Sequence, residues 1–202
     1  MVRRHPAAFR QAHPPRMVNN IYLDSAGLTD YHDHIDGVAN RVKTRVRWYG
    51  EFGGRVETPV LERKFKRGAL GGKTCAALPP FILNGEGVGP ALAKAFAVAE
   101  LPDSLRVRLP FLRPSLTNRY RRHYFVSGDG RFRLTVDSEL RAGPPHTTKP
   151  DGATAPTPLI VLELKFSPEH DDGAAAVMNA FPFRVGRCSK YVLGIEQTRG
   201  SI

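Results

Sequence analysis

Two short segments, Leu61-Glu62-Arg63-Lys64 and Leu162-Glu163-Leu164-Lys165, each set a carboxylate two residues before an ammonium. In a β-strand, residues two apart project from one face, so each segment would hold its Glu and Lys side by side. Amid phosphate-binding cations, such a carboxylate can hold a divalent metal that bridges phosphate oxygens. It can equally form an intrastrand ion pair on a solvated face, and the residues alone leave both readings open. The cations themselves are abundant. In Arg41-Val42-Lys43-Thr44-Arg45-Val46-Arg47-Trp48 every odd position is basic and every even one is Val, Thr or Trp. Arg131-Phe132-Arg133-Leu134-Thr135-Val136-Asp137 and Ile160-Val161-Leu162-Glu163-Leu164-Lys165-Phe166 alternate in the same way. Such strands have one oily face and one charged face. A surface or lumen studded with Arg and Lys calls for an anion of high charge density, such as a polyphosphate or nucleotide.

Strand signals lie near Asn19–Leu23, Arg41–Tyr49, Pro59–Lys66, Asn118–Val126, Arg131–Ser138, Pro158–Phe166 and Ser189–Glu196. Gly128-Asp129-Gly130 reads as a hairpin turn between two of them. Ser25–Gly37 reads as a short helix or turn, and Gly89–Leu101 and Asp171–Ala180 read as helices. The stretch from Gly143 to Pro158 holds five prolines and reads as a surface loop. The expected fold is therefore α+β, mainly β, with an antiparallel sheet and a few peripheral helices. Strands with one polar face each build either a sheet wet on one side or a closed barrel with a polar interior. The charged faces hold many cations beside only Glu62, Asp137 and Glu163, which favours a lined tunnel.

A chain of 202 residues is long enough for one domain, and the whole of residues 1–202 is read as one. Its formal net charge of +11 points to an acidic partner. Of the 30 cations, 22 are Arg. That bias suits bidentate phosphate binding, and a GC-rich genome would produce it too. Cys75 and Cys188 have neither metal-ligand nor redox spacing, which suggests a reducing cytoplasm. No apolar stretch reaches the ~20 residues of a membrane helix, and Met1–Arg16 has no apolar core of a signal peptide.

His32 and His34 lack a third ligand at sensible spacing and read as surface residues of a helix or turn. Gly68-Ala69-Leu70-Gly71-Gly72-Lys73 lacks the trailing Ser/Thr of a P-loop and reads as a turn. No Ser/His/Asp or Cys/His constellation stands out.

The order of motifs resembles a known family. Asn19-Asn20-Ile21-Tyr22-Leu23-Asp24, Tyr31, Asp36-Gly37 and Arg41–Gly50 come first. Leu61–Lys64, Asn118-Arg119-Tyr120-Arg121-Arg122, Arg133–Asp137, Leu162–Lys165 and Ser189-Lys190-Tyr191 follow. Together they are similar to the vacuolar transporter chaperone (VTC) domain of polyphosphate polymerases, most strongly over residues 19–196. That resemblance implies the triphosphate tunnel (CYTH-like) fold, a barrel whose lumen binds triphosphate and a divalent metal, Mn²⁺ or Mg²⁺. It implies a transferase that moves the γ-phosphate of ATP onto polyphosphate. By the same resemblance Arg45, Arg47, Lys64, Arg122, Arg133, Lys165 and Lys190 act on phosphate, with Tyr120 and Ser189 as further phosphate ligands and Glu163 as the metal carboxylate. Glu62 is the next substrate-site carboxylate.

The resemblance also implies a further first strand, of the type Glu/Arg-x-Lys-Tyr-x-Val, which bacterial members of the family usually have. Met1–Arg16 holds no such motif and, with Pro6, Pro14 and Pro15, reads as a poor wall strand. Three rival functions stand beside polymerisation: a tunnel triphosphatase, a non-catalytic polyphosphate-binding subunit, and a nucleic-acid binder. Basic residues on alternating strand faces, with no recognition helix or RNP motif, argue against the last. The expected partners are ATP and polyphosphate, with no nucleic acid and no membrane segment. The sequence leaves any partner chain or oligomer open.

Overall fold

The structure, a computed structural model, describes residues 2–68, 70–84, 87–147 and 156–199. It is an α+β fold dominated by antiparallel β-structure, as the alternating segments predict. The strands are β1 (Arg10–Asp24), β2 (Asn40–Tyr49), β3 (Gly54–Val56), β4 (Val60–Arg67), β5 (Leu70–Ala77), β6 (Phe81–Leu83), β7 (Arg113–Val126), β8 (Arg133–Gly143) and β9 (Val161–Lys165). The helices are α1 (Thr29–Ile35), α2 (Val88–Val98), α3 (Asp103–Arg106), α4 (Asp171–Asn179) and α5 (Lys190–Arg199). Seven strands hydrogen-bond in the order β5-β4-β2-β1-β7-β8-β9, and β3 pairs with β6.

The chain forms two compact units, each assembled from separated stretches. The first holds Met1–Arg16, Tyr120–Leu140 and Thr157–Cys188, and the second holds Met17–Arg119, Arg141–Pro156 and Ser189–Ile202. In the second unit Ile21, Val46, Leu61 and Ala76 form one cross-strand row. They are buried together with Val88, Leu92 and Ala95 of α2. Each large apolar side chain fully buried in this way contributes about 1.5–3 kcal/mol. A separate cluster of Tyr22, Tyr31, Leu116, Tyr191 and Ile195 seats α1 and α5. In the first unit Phe132, just before β8, and Leu134 within it pack with Phe9, Ala174, Val177 and Phe181.

Three local expectations are corrected. Residues 189–196 are not a strand: Lys190–Arg199 is helix α5. Ser189 caps it, its Oγ accepting from the Val192 N–H at 3.4 Å, as an N-cap serine does. Tyr191, Gly194 and Ile195 then fall at helical spacing on the buried side. Gly194 is required there, because a Cβ would lie 2.4 Å from Leu116 Cδ2.

The glycine-rich run after Gly68 is not simply a turn either. Gly68, at φ 57°, makes the turn, and Leu70–Ala77 is β5. Gly71 and Gly72 lie within that strand, because a Cβ on Gly72 would stand 2.3 Å from the Phe65 ring.

Finally, Arg10–Arg16, prolines included, is the first half of β1. Pro14 and Pro15 are exposed, and the register with β2 begins only at Val18, so no β2 acceptor waits for their missing N–H groups. The helices expected at 25–37, 89–101 and 171–180 form as α1, α2 and α4. The expected hairpin joins β7 to β8, with Gly130 at φ 77°. Residues 148–155 of the proline-rich loop lie outside the described residues.

Candidate active site

The alternation of β2, β4 and β5 becomes a set of cross-strand rows in the second unit. Lys43 stands opposite Lys64, and Lys64 opposite Lys73. One row along, Tyr22, Arg45, Glu62 and Cys75 face one another, and next to that Asn20 is opposite Arg47. Like charges directly opposite on a sheet destabilise it. Lys43, Lys64 and Lys73 thus form one row of three cations across β2, β4 and β5.

Glu62 organises this face. Arg45 donates from Nε at 2.8 Å and from Nη2 at 2.6 Å to Glu62 Oε2, while Lys73 Nζ lies 3.3 Å from Oε1. Arg47 Nη1 is 3.7 Å from the same carboxylate, and its Nε donates to Asn20 Oδ1 at 3.0 Å. Burial alone would raise the Glu62 carboxyl, but Arg45 and Arg47 outweigh it and hold the group down at about 2. Both of its oxygens are engaged by cations, Oε2 by Arg45 and Oε1 by Lys73. The Tyr22 phenol, though deeply buried, is pulled below its ordinary value by Arg45, Arg47 and Lys43. It accepts from Arg45 Nη1 at 3.4 Å and stacks on Tyr191 with centroids 4.8 Å apart.

The helical form of residues 190–199 brings Ser189 and Lys190 to this unit. Lys43 Nζ donates to Ser189 Oγ at 3.2 Å, tying the lysine row to the N-terminus of α5. Behind it, Asp24 accepts from the N–H groups of Asp30 and Tyr31 and from the Tyr191 hydroxyl at 2.6 Å, which pins α1 and α5 to β1.

A second cluster lies in the first unit. Arg122 donates from Nε and Nη2 to the two oxygens of Asp137 at 2.6 and 2.7 Å and rests 5.3 Å above the Tyr120 ring. Burial disfavours the Arg122 charge, but Asp137 more than offsets this and raises its pKa. Glu163 Oε1 is 3.4 Å from Lys165 Nζ and its Oε2 is 3.8 Å from Arg122, so the intrastrand ion pair is present. Arg133 is directly opposite Lys165.

Of the expected site residues, Arg45, Arg47, Glu62, Lys64, Ser189 and Lys190 thus belong to the second unit. Tyr120, Arg122, Arg133, Glu163 and Lys165 belong to the first. Lys43, Lys73, Tyr22, Asn20 and Asp137 were not picked out as site residues. Lys43 lay in plain view within the β2 alternation. Lys73 was hidden by the glycines that disguise β5. His32 and His34 lie in α1, where His34 Nδ1 is 2.7 Å from the Asp30 carbonyl oxygen.

The VTC domain family matches residues 2–199, nearly the whole chain. The chain belongs to this family of polyphosphate polymerases and tunnel folds. No curated protein matches it. Among the described residues, no helix is long and apolar enough to cross a membrane.

Proposed function

We propose that this chain is a polyphosphate polymerase domain that passes the γ-phosphate of ATP to the end of a growing polyphosphate chain. The supporting observation is the Lys43–Lys64–Lys73 row beside Arg45 and Arg47, in a chain of the VTC family. In the reaction a terminal phosphate oxygen of the polymer attacks the γ-phosphorus, the bond to the β-bridging oxygen breaks, and ADP leaves. Such chemistry needs chiefly alignment and charge neutralisation.

In this reading Arg45, Arg47 and Lys64, with Lys43 and Lys73, hold phosphate oxygens, and Glu62 keeps the arginines oriented. Ser189 and Lys190 add a hydroxyl and a cation at the start of α5. Arg122, Arg133 and Lys165 bind phosphate in the first unit, with Tyr120 supporting the Arg122 guanidinium.

Among the described residues, no three His, Cys, Asp or Glu side chains are grouped to hold a metal. One protein carboxylate plus phosphate oxygens and water would suit Mg²⁺, which commonly keeps water and substrate phosphates as ligands. Glu163 is the residue that would hold Mn²⁺ or Mg²⁺: its side chain is 40% exposed and its ion contacts are long, at 3.4 and 3.8 Å, whereas Asp137 is bound to Arg122 at 2.6 and 2.7 Å. When bound, the metal supplies further neutralisation of phosphate charge. The partners in this reading are ATP and polyphosphate. The compartment is the cytoplasm, where exposed thiols such as Cys75 and Cys188 stay reduced.

The test is purified protein with ATP and Mn²⁺, scored for long-chain polyphosphate against free phosphate. Polymer with stoichiometric ADP supports the proposal. Free phosphate without polymer identifies a triphosphatase, and tight tripolyphosphate binding without turnover identifies a binding subunit.

A further inference from the structure

The face of β4 turned away from the lysine row carries a second group of cations. Leu61, Arg63, Phe65 and Arg67 alternate there, with Leu61 in the core. The guanidinium carbons of Arg63 and Arg67 lie 5.8 and 5.9 Å from the Phe65 ring centroid, so one ring carries both cations. Arg108, following α3, anchors on α1 by donating from Nη2 to Asp30 Oδ1 at 3.2 Å. Its charge is felt at Arg63: burial, then Arg108 and Arg67, lower the Arg63 pKa, and Asp30 opposes them.

Asp30 is the carboxylate beside these arginines. Burial and the neighbouring Asp24 raise its carboxyl to about 6. Arg108 pairs with this carboxylate, while Arg63 feels the charges of both Arg108 and Arg67. The protein also leaves the polar network here unclosed. Thr44 stands directly opposite Arg63. Thr44 Oγ1, Asp30 Oδ2 and Arg63 Nε are buried with no hydrogen-bond partner among the described residues.

From this geometry we infer a second oxyanion site, built by Arg63, Arg67 and Arg108, that takes a free inorganic phosphate or short polyphosphate. It is distinct from the lysine row, because neighbouring residues of a strand face opposite sides of the sheet. Arginine is the suitable residue type: its planar fork matches phosphate oxygens and its charge survives partial burial. A lipid phosphate offers the same chemistry. However, Arg63 is only partly exposed beside Phe65, which suits an anion that diffuses in.

The site is tested by titrating full-length protein with tripolyphosphate, metal-free and at constant ionic strength, by calorimetry. Two binding sites are expected. The double variant R67Q/R108Q, altered at partly or fully exposed side chains, should lose one site or weaken it about tenfold, the value of one lost charge-assisted contact. It should leave the other site's affinity unchanged. K64Q/K73Q should do the converse. A single site that survives R67Q/R108Q intact overturns the proposal. So does binding of R67/R108-dependent character seen only with phosphatidic acid vesicles and never with soluble tripolyphosphate. R63K, which keeps the charge but loses the fork, should weaken the second site alone; unchanged binding there also counts against it.

Discussion

Arg45 and Glu62 stand directly opposite one another on β2 and β4, and two nitrogens of the arginine converge on a single carboxylate oxygen at 2.8 and 2.6 Å. With side chains only 11% and 7% exposed, this pair is the electrostatic keystone of the lysine-row face. Removing its anionic half takes away the carboxylate that Arg45, Arg47 and Lys73 have in common.

The Glu62→Gln variant should therefore lose about 3 kcal/mol of stability near neutral pH, the usual cost of breaking a buried pair from one side. Chemical denaturation of both proteins measures it. A loss below 0.5 kcal/mol on the scale of exposed pairs would mean that solvent screens the contact.

The acid limb of the stability curve should carry the same signature. The Glu62 carboxyl is depressed from 4.5 to about 2 in the folded state. Its contribution is therefore complete above the ordinary value and disappears as pH falls through about 2. Unfolding free energy measured between pH 5 and 2 should fall less steeply in Glu62→Gln than in the unmodified protein.

Asp30 should act with the opposite sign. Its carboxyl is raised from 3.8 to about 6, so its contribution is present below the ordinary value and is lost as pH rises through about 6. Asp30→Asn should flatten the melting-temperature profile between pH 4 and 7. An unchanged profile would place the titration elsewhere.

Lys64, an exposed side chain, stands between Lys43 and Lys73 on the three-strand row. Lys64→Gln should change the stability of the phosphate-free protein by no more than about 0.5 kcal/mol, as an exposed substitution does. The same change should weaken tripolyphosphate binding about tenfold. Thermal melts with and without tripolyphosphate separate the two effects.

Glu163→Gln should keep the fold, because Glu163 is 40% exposed and its ion contacts are long, at 3.4 and 3.8 Å. It should abolish metal-dependent ATP consumption. Unchanged consumption in Mn²⁺ would leave Glu163 as an ion-pair partner only.

Much of this protein is readable from the chain itself. Period-two alternation marks β2, β4 and β9 because a half-buried strand must separate its oily and charged faces, whatever it pairs with. Short-range chemistry likewise marks the β7–β8 hairpin and helices α1, α2 and α4. The misread elements are those whose local signals depend on distant partners. Residues 190–199 are rich in strand-forming side chains, yet Gly194 meeting Leu116 and Tyr191 reaching Asp24 make them a helix. Gly72 resembles a turn residue until the Phe65 ring is seen to occupy the space of its missing side chain. The partners of Glu62 were likewise decided by tertiary structure. A Glu-x-Lys pair looks the same whatever stands on the neighbouring strand. Only the β2–β4 register puts Arg45 across from Glu62, because which residues face each other depends on how the two strands pair.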